Sequence, residues 1–304
     1  MTDTATAIAY PEWTETHKKS GRDPLGMQTI SLSLYQTILP GISNVTLRVR
    51  YYGLYVWLCR SYAKKVGDTN PKSWQRIVRR SEALYALIGQ NASDETGMAG
   101  AQWAQRTLKD TGTGPIDFSL AAEPGSEISY LNQSWGVYGQ AYASQLFETG
   151  VFAVAQGHNI PVPGPEIGAP LAAAFADHLG PTAEQFFEIV QRGTVTLSEL
   201  DALAPMLPSR ISLDSAERQQ YEDILFAKAG LERQADLDRR RTLMLILTLA
   251  SRTEHLPKVP EIRWMLYKGI DLKGQSLSFP SEDLARQRLR WWIYQANDLT
   301  QYRI

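Results

Sequence analysis

The sequence predicts a mainly α-helical, bundle-like protein, and three observations carry that expectation. Apolar residues recur at spacings of three and four, capping residues precede several of these runs, and no set of alternating strands joined by hairpin turns can be found. With 304 residues, 43% hydrophobic and 21% charged, the chain can bury a substantial core and is too apolar for wholesale disorder.

The first helix is expected from Met27 to Leu39, entered through Asp23-Pro24-Leu25-Gly26 and ended by Pro40-Gly41. Ser43 or Asn44 is expected to cap a second helix that begins at Thr46. Helical spacing puts Leu47, Tyr51, Leu54, Tyr55, Leu58 and Tyr62 on one inward face, with Arg48, Tyr52 and Trp57 elsewhere around the helix. Arginines so close to an apolar stripe must pack on aromatic rings or pair with buried carboxylates, and Asp23 is one candidate partner.

Asn70-Pro71 marks a third start, because asparagine can accept from orphan amides and proline lacks the N–H that would go unpaired. Its inner stripe reads Trp74, Ile77, Val78, Ser81, Leu84, Tyr85 and Ile88. Thr182 with Gln185, and Thr196 with Glu199, fit the reciprocal capping box. Ser212 or Asp214 can cap a helix through Tyr221, Ile224 and Leu225 to Gly230. A long unbroken helix is expected from Ala235 to His255. A last one starts at Ser281 and runs through Leu284, Leu289, Trp292 and Tyr294.

The Gly-, Tyr- and Phe-rich stretch from Ser129 to Ala155 leaves room for a helix, a minor hairpin or both. Lys109–Ser126 and Gly157–Pro170 are rich in Gly and Pro and read as connections, which are functional loops or domain boundaries. The expected division is an N-terminal helical domain, 1–110, and a C-terminal helical domain, 128–304.

Net charge is −1, but the sign is segregated. From Arg48 to Arg80 nine basic residues face one acid, Asp68; from Asp110 to Phe226 fifteen acids face three arginines; Ala227–Ile304 carries fourteen basic and nine acidic residues. A basic block with interleaved aromatics admits three readings: solvated helix faces answered by the acidic middle, a DNA or RNA surface, or a surface for an acidic protein. The candidate contact residues are Arg48, Arg50, Tyr52, Arg60, Lys64, Lys65, Arg76, Arg79 and Arg80.

The segment "LPGISNVTLRVRYYGLYVWL" resembles the proline–glycine, threonine, arginine, arginine–tyrosine, tryptophan series near the N-terminus of an uncharacterised bacterial family. Members of that family are found in antiphage defence islands, beside helicases with phospholipase-D-like domains. The late segment Arg290-Trp291-Trp292-Ile293-Tyr294-Gln295-Ala296-Asn297 is similar to that family's C-terminal helix, beyond which relatives are expected to continue. The resemblance covers about forty residues. It implies a defence-associated role and supplies no catalytic residues.

Chemistry-bearing motifs are sparse. His17, His158, His178 and His255 form no pair at ligand spacing, and no phosphate loop, dinucleotide fingerprint or nucleophile elbow is present. Asp177-His178 reads as helix surface, and Glu261-Ile262-Arg263 lacks the strand and lysine of a nuclease site. Cys59, the single cysteine, excludes an internal disulfide framework and reads as a small buried hydrophobe. The N-terminus shows no signal-peptide layout, and the apolar stretch Thr242–Ala250 falls short of the roughly 20 residues needed to span a bilayer. Thr196–Leu207 is similar to the start of a helix-turn-helix. The leading expectation is a cytoplasmic, cofactor-free, non-catalytic helical subunit of a defence complex. It would bind a partner protein, nucleic acid or both through a basic helical surface. The rival is a nucleic-acid-processing enzyme with a site assembled from dispersed residues.

Overall fold

The computed structural model describes residues 27–301, apart from 47, 93–94, 113 and 231–232. Asp23, Leu47 and His17 lie outside the described residues. Among the described residues the helices are α1 (Met27–Ile38), α2 (Arg50–Lys65), α3 (Pro71–Ala92), α4 (Ala101–Asp110), α5 (Ala143–Glu148), α6 (Gly168–Leu179), α7 (Pro181–Arg192), α8 (Leu197–Ala202), α9 (Ala216–Phe226), α10 (Gln234–Ala250), α11 (Val259–Lys268) and α12 (Glu282–Gln301). The mainly helical expectation holds.

Helix α2 is buried on every side from Arg50 to Cys59, not along one stripe, so it is the central rod of the larger core. Tyr52 and Trp57, expected elsewhere around the helix, are as buried as Tyr51 and Leu58. Gly53 explains how α6 and α9 come so close. A Cβ there would lie 2.1 Å from the Tyr221 hydroxyl and 2.8 Å from the Phe175 ring. The helix also starts later than expected. Ser43 and Thr46 bond each other through Ser43 N–H to Thr46 Oγ1 and Thr46 Oγ1–H to Ser43 O, both 2.9 Å, and this turn competes with helix until Arg50.

Asn70 does cap α3, accepting from Lys72 N–H at 2.9 Å, and Thr196 and Glu199 do form the box that opens α8. The box expected at Thr182 is absent, because α7 starts two residues earlier, at Pro181, with Gly180 in the cap position. Ser215 rather than Ser212 or Asp214 caps α9, which stops at Phe226 ahead of Gly230. Leu284 N–H donates to Ser281 Oγ at the start of α12.

Two short antiparallel pairs pin the Gly/Pro-rich connections. Strand β1 (Ile116–Asp117) pairs with β4 (Thr194–Val195), and β2 (Phe152–Ala153) with β3 (Val162–Pro163). Half of the hairpin expected within 129–155 therefore lies outside it, while a π-helical turn at Tyr138–Tyr142 runs into α5.

The expected boundary between residues 110 and 128 is not where the core divides. Side chains of α2 to α4 share one hydrophobic cluster with residues of the 116–224 segment. A second, smaller cluster joins Leu245, Leu249, Met265, Leu266 and Leu284 of α10, α11 and α12, and α1 packs onto α12 and α10. No described helix is long and apolar enough to cross a membrane.

Candidate interaction surface

The nine residues expected to form a basic surface do not form one. Arg50, Tyr52 and Arg79 are buried in the core at 0%, 3% and 0% exposure, which withdraws them from any ligand-facing role. Arg50 grips Glu217 with two hydrogen bonds of 2.9 Å and donates to the carbonyls of Pro205 and Leu207, while its guanidinium lies 5.6 Å from the Phe175 ring centroid. Arg79 gathers the loop after β1, donating to the carbonyls of Ala122, Leu131 and Gln133 and to Ser129 Oγ above the Tyr130 ring. Tyr52 donates its hydroxyl to Gly41 O at 2.7 Å.

Most of the others are answered by the chain itself. Lys65 pairs with Glu184 over the Phe187 ring, and Arg76 lies 3.5 Å from Glu123. Arg48 donates to Thr96, and Arg80 to Gln191 O at 2.8 Å. Only Arg60 and Lys64 of the nine have no hydrogen-bond or ion-pair partner among the described residues. Three of the eight cations meet carboxylates of the acidic middle and three meet carbonyls or hydroxyls, so the run of charge in the sequence did not become one open basic surface.

Two buried carboxylates organise the larger core, and neither was singled out from the sequence. Glu217 accepts from Arg50 and from the Tyr221 hydroxyl at 2.8 Å, and one of its oxygens lies 3.1 Å from His178 Nδ1, so Asp177-His178 is not plain helix surface. Glu82 accepts from the hydroxyls of Tyr55 and Tyr130 and from the amides of Val137 and Tyr138. Those amides are orphans at the start of the α5 helical run, and Glu82 caps them from α3. Full burial pushes the Glu82 carboxyl up, against the pull of these four bonds. Gly136, at φ +61°, is required here, since a Cβ would come within 2.2 Å of Glu82 Oε2.

The remaining candidates are also spent. Glu261 is held by His255 and the Lys258 amide, and Arg263 reaches Asp298. Helix α8 is six residues long and packs under α3 through Leu200, and Arg218 of α9 pairs with Glu222, so no basic recognition helix follows Thr196. Among the described residues no three His, Cys, Asp or Glu side chains are grouped to hold a metal ion. Burial pushes the Cys59 thiol up to about 12, and its Sγ donates to Pro161 O. A cleft of about 260 Å³ between Phe147, Phe152 and α10 is faced by Arg233 and Arg239, both already engaged by Asp236.

The unusual surface lies on α1, α10 and α12, which bury Leu245, Leu249 and Leu284 but also several polar residues, and leave other large apolar side chains exposed. In α12 the buried positions include Gln287 and Gln295, while Leu289, Trp292, Ile293 and Leu299 are 41–49% exposed. In α10, Asp236, Asp238, Arg239 and Thr242 are buried, whereas Met244 and Leu247 are exposed. In α1, Ser31 points in and Ile30 and Leu32 point out. The buried polar groups satisfy one another in a seam. Gln287 donates to Thr242 Oγ1 (2.7 Å), Thr242 to Ile38 O (2.6 Å), Arg290 to Asp238 (2.7 Å) and Thr37 O, and Asn297 to Ser31 Oγ (2.6 Å).

Such a seam fixes how three helices sit together at little net gain, and it occupies inward positions while part of their apolar residues stay outside. Of nineteen large hydrophobic side chains exposed among the described residues, twelve belong to α1 or to the stretch from Met244 to Leu299. Periodicity could place these residues on a helix but not decide which of two stripes faced in, since α12 is apolar on one and hydrogen-bonded on the other. The chain matches no protein-family model, no curated protein and no solved structure.

Proposed function

We propose that this chain is a non-catalytic helical subunit of a bacterial antiphage defence assembly, working in the cytoplasm, and that it joins a partner protein through the outer faces of α1, α10 and α12. The observation that carries the reading is the group of large apolar side chains left exposed on α1, α10 and α12 beside a buried polar seam. Exposed singly, leucines need no explanation; grouped on neighbouring helices, they fit a face that another protein covers. Covering the exposed half of a Leu, Ile or Met side chain is worth on the order of 1 kcal/mol, so these residues add to a complex to which the rest of the contact also contributes. The defence setting rests on the resemblance carried by the α1–α2 segment and by Arg290–Asn297, the latter lying on this same α12.

The test is phage plating on cells that carry the chain with its neighbouring genes, comparing wild type with Leu289→Ser/Ile293→Ser. Both positions are about half exposed, so folding should be untouched. Loss of protection at unchanged protein level is the expected result. Full protection by the variant, or metal-dependent nucleic-acid cleavage by the purified chain alone, would overturn the proposal.

A further inference from the structure

Helices α11 and α12 form a groove of about 410 Å³ lined by Val259, Pro260, Arg263, Trp264, Tyr267, Gln295 and Leu299. We infer that this groove takes an amphipathic helix of the partner whose apolar stripe is flanked by carboxylates; the inference rests on the partner-binding reading above and names the chemistry of the contact.

The groove suits a helix because its walls are two helices with an apolar trough between them, the geometry in which residues at i, i+3, i+4 and i+7 of a third helix seat. Val259 is 72% exposed, and Trp264 and Leu299 nearly half, so the trough's apolar surface is open to a partner. The floor includes Gln295, 5% exposed, whose Oε1 has no donor among the described residues.

Charge selects the partner's flanks. Among the described residues no carboxylate lines the groove, and the two next to its lining residues in sequence are engaged: Glu261 by His255 at 3.1 Å and by the Lys258 amide, and Asp298 by Arg263 at 3.6 Å. Lys268 makes no salt bridge among the described residues; its Nζ stands 5.3 Å from the Trp264 ring centroid and 5.8 Å from that of Tyr267. Lys258, at the other end of α11, is also exposed and has no side-chain salt bridge among the described residues. The two lysines are ten residues apart, roughly 15 Å along the helix. A ligand helix with acids about ten residues apart meets both.

Nucleic acid fits this site less well. Base stacking needs free ring faces. Tyr267 already stacks on Trp292, with centroids 6.3 Å apart and planes at 24°, and Lys268 stands over both Tyr267 and Trp264.

The test uses the full-length chain and fluorescence anisotropy of labelled synthetic helical peptides. One carries a Leu/Trp stripe with flanking Glu, a second has the same stripe with flanking Lys, and a dT oligonucleotide serves as the third probe. The Glu peptide should bind at least about fivefold tighter than the Lys peptide, the scale expected of two exposed ion pairs. Lys258→Glu/Lys268→Glu should reverse that preference, and Val259→Glu/Leu299→Glu should abolish binding with the melting curve unchanged. Equal binding of both peptides, binding of neither, or tighter binding of the oligonucleotide would each overturn the inference. The phage assay targets Leu289 and Ile293, which do not line this groove, so a failure here and a failure of the partner-binding reading give different results.

Discussion

Replacing Arg50 by alanine should destabilise the fold severely and leave surface charge untouched. Both members of the Arg50–Glu217 pair are 0% exposed, and Arg50 also serves the carbonyls of Pro205 and Leu207. Removing the guanidinium strands Glu217 with Tyr221 and His178 alone and leaves two carbonyls without this donor. Breaking one side of a buried pair costs about 3–5 kcal/mol, and an unmet buried acceptor about 1–3, so the total is on the order of 4–8 kcal/mol. In a protein of this size each kcal/mol moves Tm by about 2–4 °C, giving a fall of at least about 8 °C in a circular-dichroism melt. Arg50→Met/Glu217→Leu should recover much of that loss, because an apolar pair of similar volume replaces the ions without a stranded charge. An Arg50→Ala protein melting within about 3 °C of wild type, yet binding DNA or heparin less well, would refute the structural role and return Arg50 to the list of ligand-facing cations.

Gly53→Ala should cost about 1–3 kcal/mol despite alanine's better helix propensity, since the new methyl meets Tyr221 and Phe175; urea unfolding measures it, and a stabilised variant would contradict the packing. Asp236 carries a pH dependence. Burial pushes its carboxyl up, but hydrogen bonds and charge from Arg233 and Arg239 outweigh this and set it below its ordinary 3.8. A depressed folded value means the stabilisation is fully present above pH 3.8 and is lost as pH falls through the folded pKa. The Tm gap between wild type and Asp236→Asn should therefore narrow only in acid, and a gap that is constant down to strong acid would count against the pairing. Cys59, buried and with its thiol pushed up to about 12, should react with a thiol reagent only as fast as the protein unfolds. Rapid labelling of the folded chain would show that the site is open.

Helix starts set by local chemistry were legible in the sequence. Asn70-Pro71 and the Thr196–Glu199 box work within four residues of chain, so tertiary structure had little to change. The second helix was misjudged at its start because Ser43 and Thr46 prefer each other to the amides ahead. Its burial was misjudged because being surrounded is a property of the assembled bundle. Charge was the least transferable signal. Arg50 and Glu217 are 167 residues apart, and no window of sequence shows that they meet. For the same reason the polar seam was invisible: Gln287 is a core residue only because Thr242 and Ile38 lie opposite.

The most direct measurement is the native mass of the chain, tagged at its own locus, in gently lysed cells, for wild type and for Met244→Ser/Leu247→Ser/Leu289→Ser/Ile293→Ser. The four side chains are all exposed, so the variant should melt as wild type does. Wild type is expected in a complex well above monomer mass, and the variant as a monomer. A wild-type monomer, or a complex that survives all four substitutions, would contradict the claim that the outward apolar faces of α10 and α12 are there to be covered.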